Sequence, residues 1–123
     1  MHSRNIGESF RFAFSGLWYA LRTQRNVRIH LAIAAAAVVL GLWLGLSSTR
    51  WAVLALTIGF VLASEMLNTV AETLVDLVSP GYHPLAKVIK DVTAAAVLLA
   101  AIISVIVGLL VLGPPLWARV CGD

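Results

Sequence analysis

Glu65, Asn68, Glu72 and Asp76 recur at i, i+3, i+7 and i+11, a spacing that lines them up in one stripe of an α-helix. The stripe follows directly on residues 51–64, an almost uninterrupted apolar run. Ionisable groups in or beside a membrane span are costly, so three carboxylates and an amide in this position mark a functional site by default. Carboxylates of this kind can hold a cation, move a proton, or work beside cations on a phosphate.

Basic and polar groups that could share such a site stand elsewhere in the chain. They are the cluster Gln24-Arg25-Asn26-Val27-Arg28-Ile29-His30, the loop Tyr82-His83, and Lys90-Asp91. Carboxylates next to arginines, lysines and a polar loop suit phosphate handling. Phosphoryl transfer to a hydroxyl needs a group that positions the nucleophile or takes its proton, together with Mg²⁺ and cations to offset phosphate charge. Mg²⁺ commonly takes one or two carboxylates plus the substrate's phosphates. Glu65, the acid nearest the apolar run, is placed to meet a lipid headgroup. Glu72, nearly two turns on, is better placed for metal and nucleotide. Asp76 has an equally good structural reading, as an ion-pair partner of Lys87 or Arg25.

Several chemistries are excluded. No G-x-x-x-x-G-K-S/T motif and no glycine-rich dinucleotide fingerprint occurs, so a nucleotide such as ATP would bind without either. Histidines at 2, 30 and 83 and the absence of H-E-x-x-H argue against zinc. One cysteine, Cys121, rules out an internal disulfide.

The elements that must carry these groups belong to a membrane protein. Hydrophobic residues make up 60% of the chain and charged ones 12%, where a soluble domain is about half apolar and a quarter charged. Mean hydropathy is +0.93. The net charge of +3 is a matter of topology and not of nucleic acid. Of nine basic residues, Arg4, Arg11, Arg22, Arg25 and Arg28 precede the first apolar span, Lys87 and Lys90 lie between the second and third, and only Arg50 and Arg119 fall elsewhere. The positive-inside rule therefore predicts residues 1–28 and 79–90 in the cytoplasm, and residues 47–50 and the C-terminus outside.

The pattern predicts one domain over residues 1–123. Residues 5–23 read as an amphipathic helix, with Ile6, Phe10, Phe14, Leu17 and Leu21 opposite Arg4, Glu8, Arg11 and Arg22, suited to the membrane interface. Three spans follow at about 29–46, 51–78 and 86–112. The first carries Gly41-x-x-x-Gly45, a motif that permits close helix packing. The second exceeds the ~30 Å hydrocarbon core, so its acidic half can emerge on the cytoplasmic side. Gly113-Pro114-Pro115 is expected to end the third, with Trp117 as an interfacial anchor. Three helices do not easily enclose a polar stripe alone, and Ala94, Ala95, Ala96, Ala100, Ala101, Ser104 and Gly108 offer small surfaces for contact in an oligomer. The expected class is an all-α integral membrane protein with three spans and an N-terminal interfacial helix.

Glu65-Met-Leu-Asn68-Thr-Val-Ala-Glu72, Asp76-Leu-Val-Ser-Pro-Gly81-Tyr82-His83-Pro-Leu-Ala-Lys87 and Lys90-Asp91 together resemble the prokaryotic diacylglycerol kinase family, over about residues 9–112. The Arg25–His30 segment and the Ser-Pro-Gly-Tyr-His loop are more similar to its Gram-positive branch, whose members prefer undecaprenol. The resemblance implies a homotrimer in the bacterial inner membrane, multi-pass, with ATP and Mg²⁺ bound at the cytoplasmic face and active sites between subunits. By position it implies Glu65 as catalytic base, Asn68 as the amide beside it, and Glu72 as the metal carboxylate. It likewise implies Gly81, Tyr82 and His83 as the nucleotide loop, Lys90-Asp91 near the phosphates and adenosine, and Trp43 against lipid. Gln24 departs from the family, which usually has a glutamate there to help hold the metal; glutamine keeps an oxygen and loses a charge. The function implied is phosphorylation of undecaprenol, with diacylglycerol as the alternative acceptor. A small transporter or channel subunit, with Glu65 binding a proton or cation, is the rival from another class.

Overall fold

The computed structural model describes residues 5–122. Arg4 and His2, used above in the charge count and the histidine inventory, lie outside them. The described chain is four α-helices: α1 (Ile6–Thr23), α2 (Arg25–Leu44), α3 (Ser48–Val78) and α4 (Pro84–Val120). The last three are long and apolar enough to cross a membrane, and α3 and α4 share the most extensive packing. At 1.5 Å per residue, α3 is roughly 46 Å long and α4 roughly 55 Å, both beyond a ~30 Å hydrocarbon core.

Each helix starts and stops for a local reason. Asn5 caps α1 by accepting from the Glu8 amide at 2.7 Å, and Ser47 caps α3 by accepting from the Arg50 amide at 3.3 Å. Gln24 alone separates α1 from α2. It is extended, at φ −112° and ψ 113°, and serves as C-cap of one helix and N-cap of the next. Arg28 locks this corner, its Nη1 donating to the Leu21 and Arg22 carbonyls at 3.0 Å each. Those carbonyls end α1 without intrahelical partners, and a cation suits that end of the helix dipole.

The Gly41-x-x-x-Gly45 motif divides into two different jobs. A side chain at Gly41 would meet the Trp51 ring at 2.9 Å, so this glycine lets α3's first turn close on α2. Gly45 instead adopts φ +68° and ends α2, the Gly45 and Leu46 amides both returning to the Gly41 carbonyl.

Gly113-Pro114-Pro115 does not end the last helix, contrary to the sequence expectation. α4 continues to Val120. Pro114 and Pro115 have no N–H to offer the carbonyls four residues back, those of Leu110 and Val111. Arg50 Nη1 takes their place, donating to Leu110 at 3.1 Å and to Val111 at 2.7 Å. A single guanidinium from α3 thus satisfies both carbonyls that the proline pair strips of partners, and the helix runs on. Nearby, the Arg119 guanidinium lies 4.6 Å from the centre of the Trp43 ring, joining the C-terminal ends of α2 and α4.

Candidate functional site

The stripe predicted on α3 is present, and burial falls steadily along it. Glu65 is 2% exposed, Asn68 and Glu72 are half-buried, and Asp76 is exposed. The helix therefore carries its polar groups from the packed interior out to the surface at the α3–α4 turn.

Glu65 meets α2 through His30, whose Nε2 stands 3.1 Å from Oε1. The approach is close enough for an ion pair, yet it is not aligned as a hydrogen bond, and Oε1 has no hydrogen-bond donor among the described residues. One turn on, Asn68 Nδ2 donates to Glu72 Oε1 at 3.3 Å, which leaves Asn68 Oδ1 buried and likewise without a donor. Buried polar atoms are nearly always paired, because an unpaired one costs about 1–3 kcal/mol. Two neighbouring acceptors held without donors form a site that calls for a donor group such as a hydroxyl. Beside them Thr69 Oγ1 donates to the Glu65 carbonyl at 3.0 Å.

Where α3 ends and α4 begins, the predicted charges pair among themselves. Lys90 Nζ donates to Asp76 Oδ1 at 3.1 Å, and Lys87 Nζ to Asp91 Oδ2 at 2.6 Å. Asp76 thus finds Lys90, not the Lys87 or Arg25 expected from the sequence, because the turn of residues 79–83 brings the start of α4 beside the end of α3. All four side chains are solvated, and exposed pairs of this kind contribute little stability. His83 caps α4, its Nδ1 accepting from the Leu85 amide at 3.1 Å. Tyr82 is 83% exposed, and the Gly81 carbonyl accepts from Ser79 Oγ at 3.2 Å.

The metal expectation rests on Gln24 and Glu72. Among the described residues no three His, Cys, Asp or Glu side chains converge on a point. One carboxylate and one amide oxygen are too few for an ion held by protein alone. An ion that arrives with phosphate oxygens, as Mg²⁺ commonly does, asks for only one or two protein carboxylates.

Trp43 stands apart. It lies thirteen residues beyond His30 on α2, about 20 Å along the helix axis, beside Arg119. His30 is the group that the sequence placed correctly in a polar cluster but did not connect to Glu65. Its signal was present: an ionisable residue inside the first apolar span, two turns past the corner at Gln24.

Comparison with known proteins identifies the family. Residues 11–112 match the model of the family described as prokaryotic diacylglycerol kinase. A Synechocystis protein named diacylglycerol kinase is 50% identical over 113 residues, which is 91% of this chain and 65% of that protein, so the chain spans just under two thirds of its length. An undecaprenol kinase of Bacillus subtilis is 43% identical over 109 residues, 89% of both chains. A diacylglycerol kinase of Escherichia coli is 32% identical over 95 residues, 77% of this chain and 78% of that one.

Proposed function

The chain belongs to the prokaryotic diacylglycerol kinase family, and on that premise we propose that it is a lipid kinase, transferring the γ-phosphoryl group of ATP to the hydroxyl of a membrane lipid. The observation that carries the reading is the pair of buried acceptors, Glu65 Oε1 and Asn68 Oδ1, without donors at the inner end of the polar stripe. An alcohol O–H entering from the bilayer supplies what they lack. A transporter would also use a buried carboxylate, but it has no need of the graded stripe leading outward to Glu72, Lys90 and Asp91.

In this reading Glu65 is the general base. It takes the proton as the acceptor's O–H bond breaks and its oxygen bonds to the γ-phosphorus. The bond from that phosphorus to the β–γ bridging oxygen breaks, and ADP leaves with the electron pair. Asn68 orients the hydroxyl through Oδ1 while its Nδ2 holds Glu72. Glu72, with Gln24, would hold Mg²⁺, which when bound would offset the charge of the transferring group. Gly81, Tyr82, His83, Lys90 and Asp91 receive the nucleotide; Lys90 leaves Asp76 to reach a phosphate, a small cost for a solvated pair. The acceptor is undecaprenol, a reading supported by the Arg25–His30 and Ser-Pro-Gly-Tyr-His segments and by the Bacillus relative, matched over 89% of both chains. Diacylglycerol is the second reading, favoured by the name of the Synechocystis relative. In this reading the Gln24, Glu72 and Tyr82 end faces the cytoplasm of a bacterial inner membrane and α1 lies in its interface, an orientation that the distribution of Lys and Arg supports. Homotrimer assembly would enclose the exposed flank of the stripe.

The test is transfer of labelled phosphate from ATP to undecaprenol and to dioleoylglycerol, measured side by side with purified protein in detergent. Faster labelling of undecaprenol supports the acceptor named here. Faster labelling of dioleoylglycerol reverses it, and no labelling of either removes the kinase reading.

A further inference from the structure

His30 occupies a boundary. It is the one ionisable side chain lining a cavity of about 370 Å³ among α2, α3 and α4, whose other walls include Ala34, Ile58, Val61, Val105 and Leu109. On its other side Nε2 touches the buried Glu65 carboxylate. The Nε2–Oε1 approach of 3.1 Å is of ion-pair length and joins α2 to α3 at this carboxylate. The helix that carries His30 is restrained as well. It is anchored six residues earlier at the Gln24 corner, which Arg28 fastens to α1 through two carbonyls.

We infer that His30 is a positioning residue for Glu65: the close approach of its Nε2 restrains the carboxylate, so that Oε1 stays turned toward the acceptor hydroxyl. This deepens the kinase reading and rests on it. The need is physical. Glu65 extends on a side chain with three rotatable bonds, Oε1 has no hydrogen-bond donor among the described residues, and a base displaced by about 1 Å can lose on the order of 10²-fold in rate. No group on α3 itself meets Oε1; the restraint comes from α2. The competing view, an ion pair that only stabilises the helix contact, predicts a loss of stability without a change in turnover per folded molecule.

The experiment measures kcat, KM for ATP and thermal stability for the unmutated protein, His30→Ala, His30→Gln, Glu65→Gln and the double variant His30→Ala/Glu65→Gln. The expected result is a fall in kcat of up to about 10²-fold in His30→Ala with KM for ATP unchanged. His30→Gln, whose amide nitrogen sits close to where Nε2 was, should recover most of the loss. Adding His30→Ala to Glu65→Gln should cost nothing further, because one interaction cannot be removed twice. Should His30→Ala fail to fold, His30→Asn replaces it: its amide falls at the Nδ1 position, short of Glu65, and kcat should drop as for alanine. Unchanged kcat in His30→Ala, an equal loss in the glutamine variant, or additive losses in the double variant each overturn the proposal. No transfer by the unmutated protein overturns the kinase reading itself, and the two failures are thereby distinct.

Discussion

The two ends of the three long helices treat their polar groups in opposite ways. At the end where α3 begins, Arg50 satisfies the Leu110 and Val111 carbonyls that Pro114 and Pro115 leave free, Gly41 admits Trp51, and Arg119 lies over Trp43. That end closes on itself. Toward the other end, Glu65 Oε1 and Asn68 Oδ1 are buried without hydrogen-bond donors, and the stripe opens through Glu72 to solvent. Both ends use charged or amide side chains in apolar surroundings. The difference is whether the molecule supplies the partner. Where it does, the residue explains a helix that passes through two prolines; where it does not, the partner we propose is a substrate.

The contrast breaks most visibly at Glu65. Glu65→Gln removes the base while keeping the shape, and should lower turnover about 10²–10⁴-fold with folding intact. Glu65→Asp should recover little, since one methylene moves the oxygen by ~1 Å. Kinetics on purified protein with ATP and either lipid check this. Near-normal turnover in Glu65→Gln would make the open end as structural as the closed one.

At the closed end the same logic predicts the reverse. Arg50→Met should destabilise the protein by about 1–3 kcal/mol, because the Leu110 and Val111 carbonyls lose their donor, while turnover per folded molecule is retained. Restoring an N–H in the helix by Pro114→Ala should soften the effect of Arg50→Met. Thermal or denaturant unfolding in detergent, paired with activity, separates the outcomes. Equal destabilisation with and without Pro114→Ala would show that Arg50 does not act through the freed carbonyls.

Between these extremes lies the metal. Glu72→Gln should raise the Mg²⁺ concentration needed for half-maximal rate, on the order of 10-fold or more, as one coordinating charge is lost. Gln24→Glu should lower it by adding a second carboxylate. Magnesium titrations at fixed ATP test both. Unchanged dependence in the two variants would take Glu72 out of the metal site.

Much of this was legible in the sequence because membrane helices write their periodicity plainly. The α3 stripe follows from i, i+3, i+7 and i+11 spacing alone, and the three long helices from their apolar runs. Two things were not legible. The passage of α4 through Gly113-Pro114-Pro115 depends on a donor sixty residues away, and local rules for proline cannot anticipate Arg50. The His30–Glu65 contact joins helices whose relative rotation is set by packing, so the spacing within either helix is silent about it. Asp76 shows the same limit on a smaller scale. Its partner Lys90 is chosen by the geometry of the turn at residues 79–83, not by nearness along the chain.

Trp43 gives the finest test of where the boundary between the two ends falls. Read as a lipid contact, it belongs to the site; its place about 20 Å along α2 from His30, with Arg119 4.6 Å from its ring centre, gives it a second duty at the closed end. An exposed cation–π contact contributes about 0.5–1 kcal/mol, so Arg119→Ala should reduce stability by that amount and leave kcat and both KM values alone. Trp43→Phe keeps an aromatic face, though a weaker one for a cation, and should cost less. A long acceptor chain could still reach Trp43 while its hydroxyl sits at Glu65. In that case Trp43→Ala raises KM for undecaprenol but not for a short-chain diacylglycerol, whose tails end before the far side. Identical KM changes for long and short acceptors would assign Trp43 wholly to the closed end.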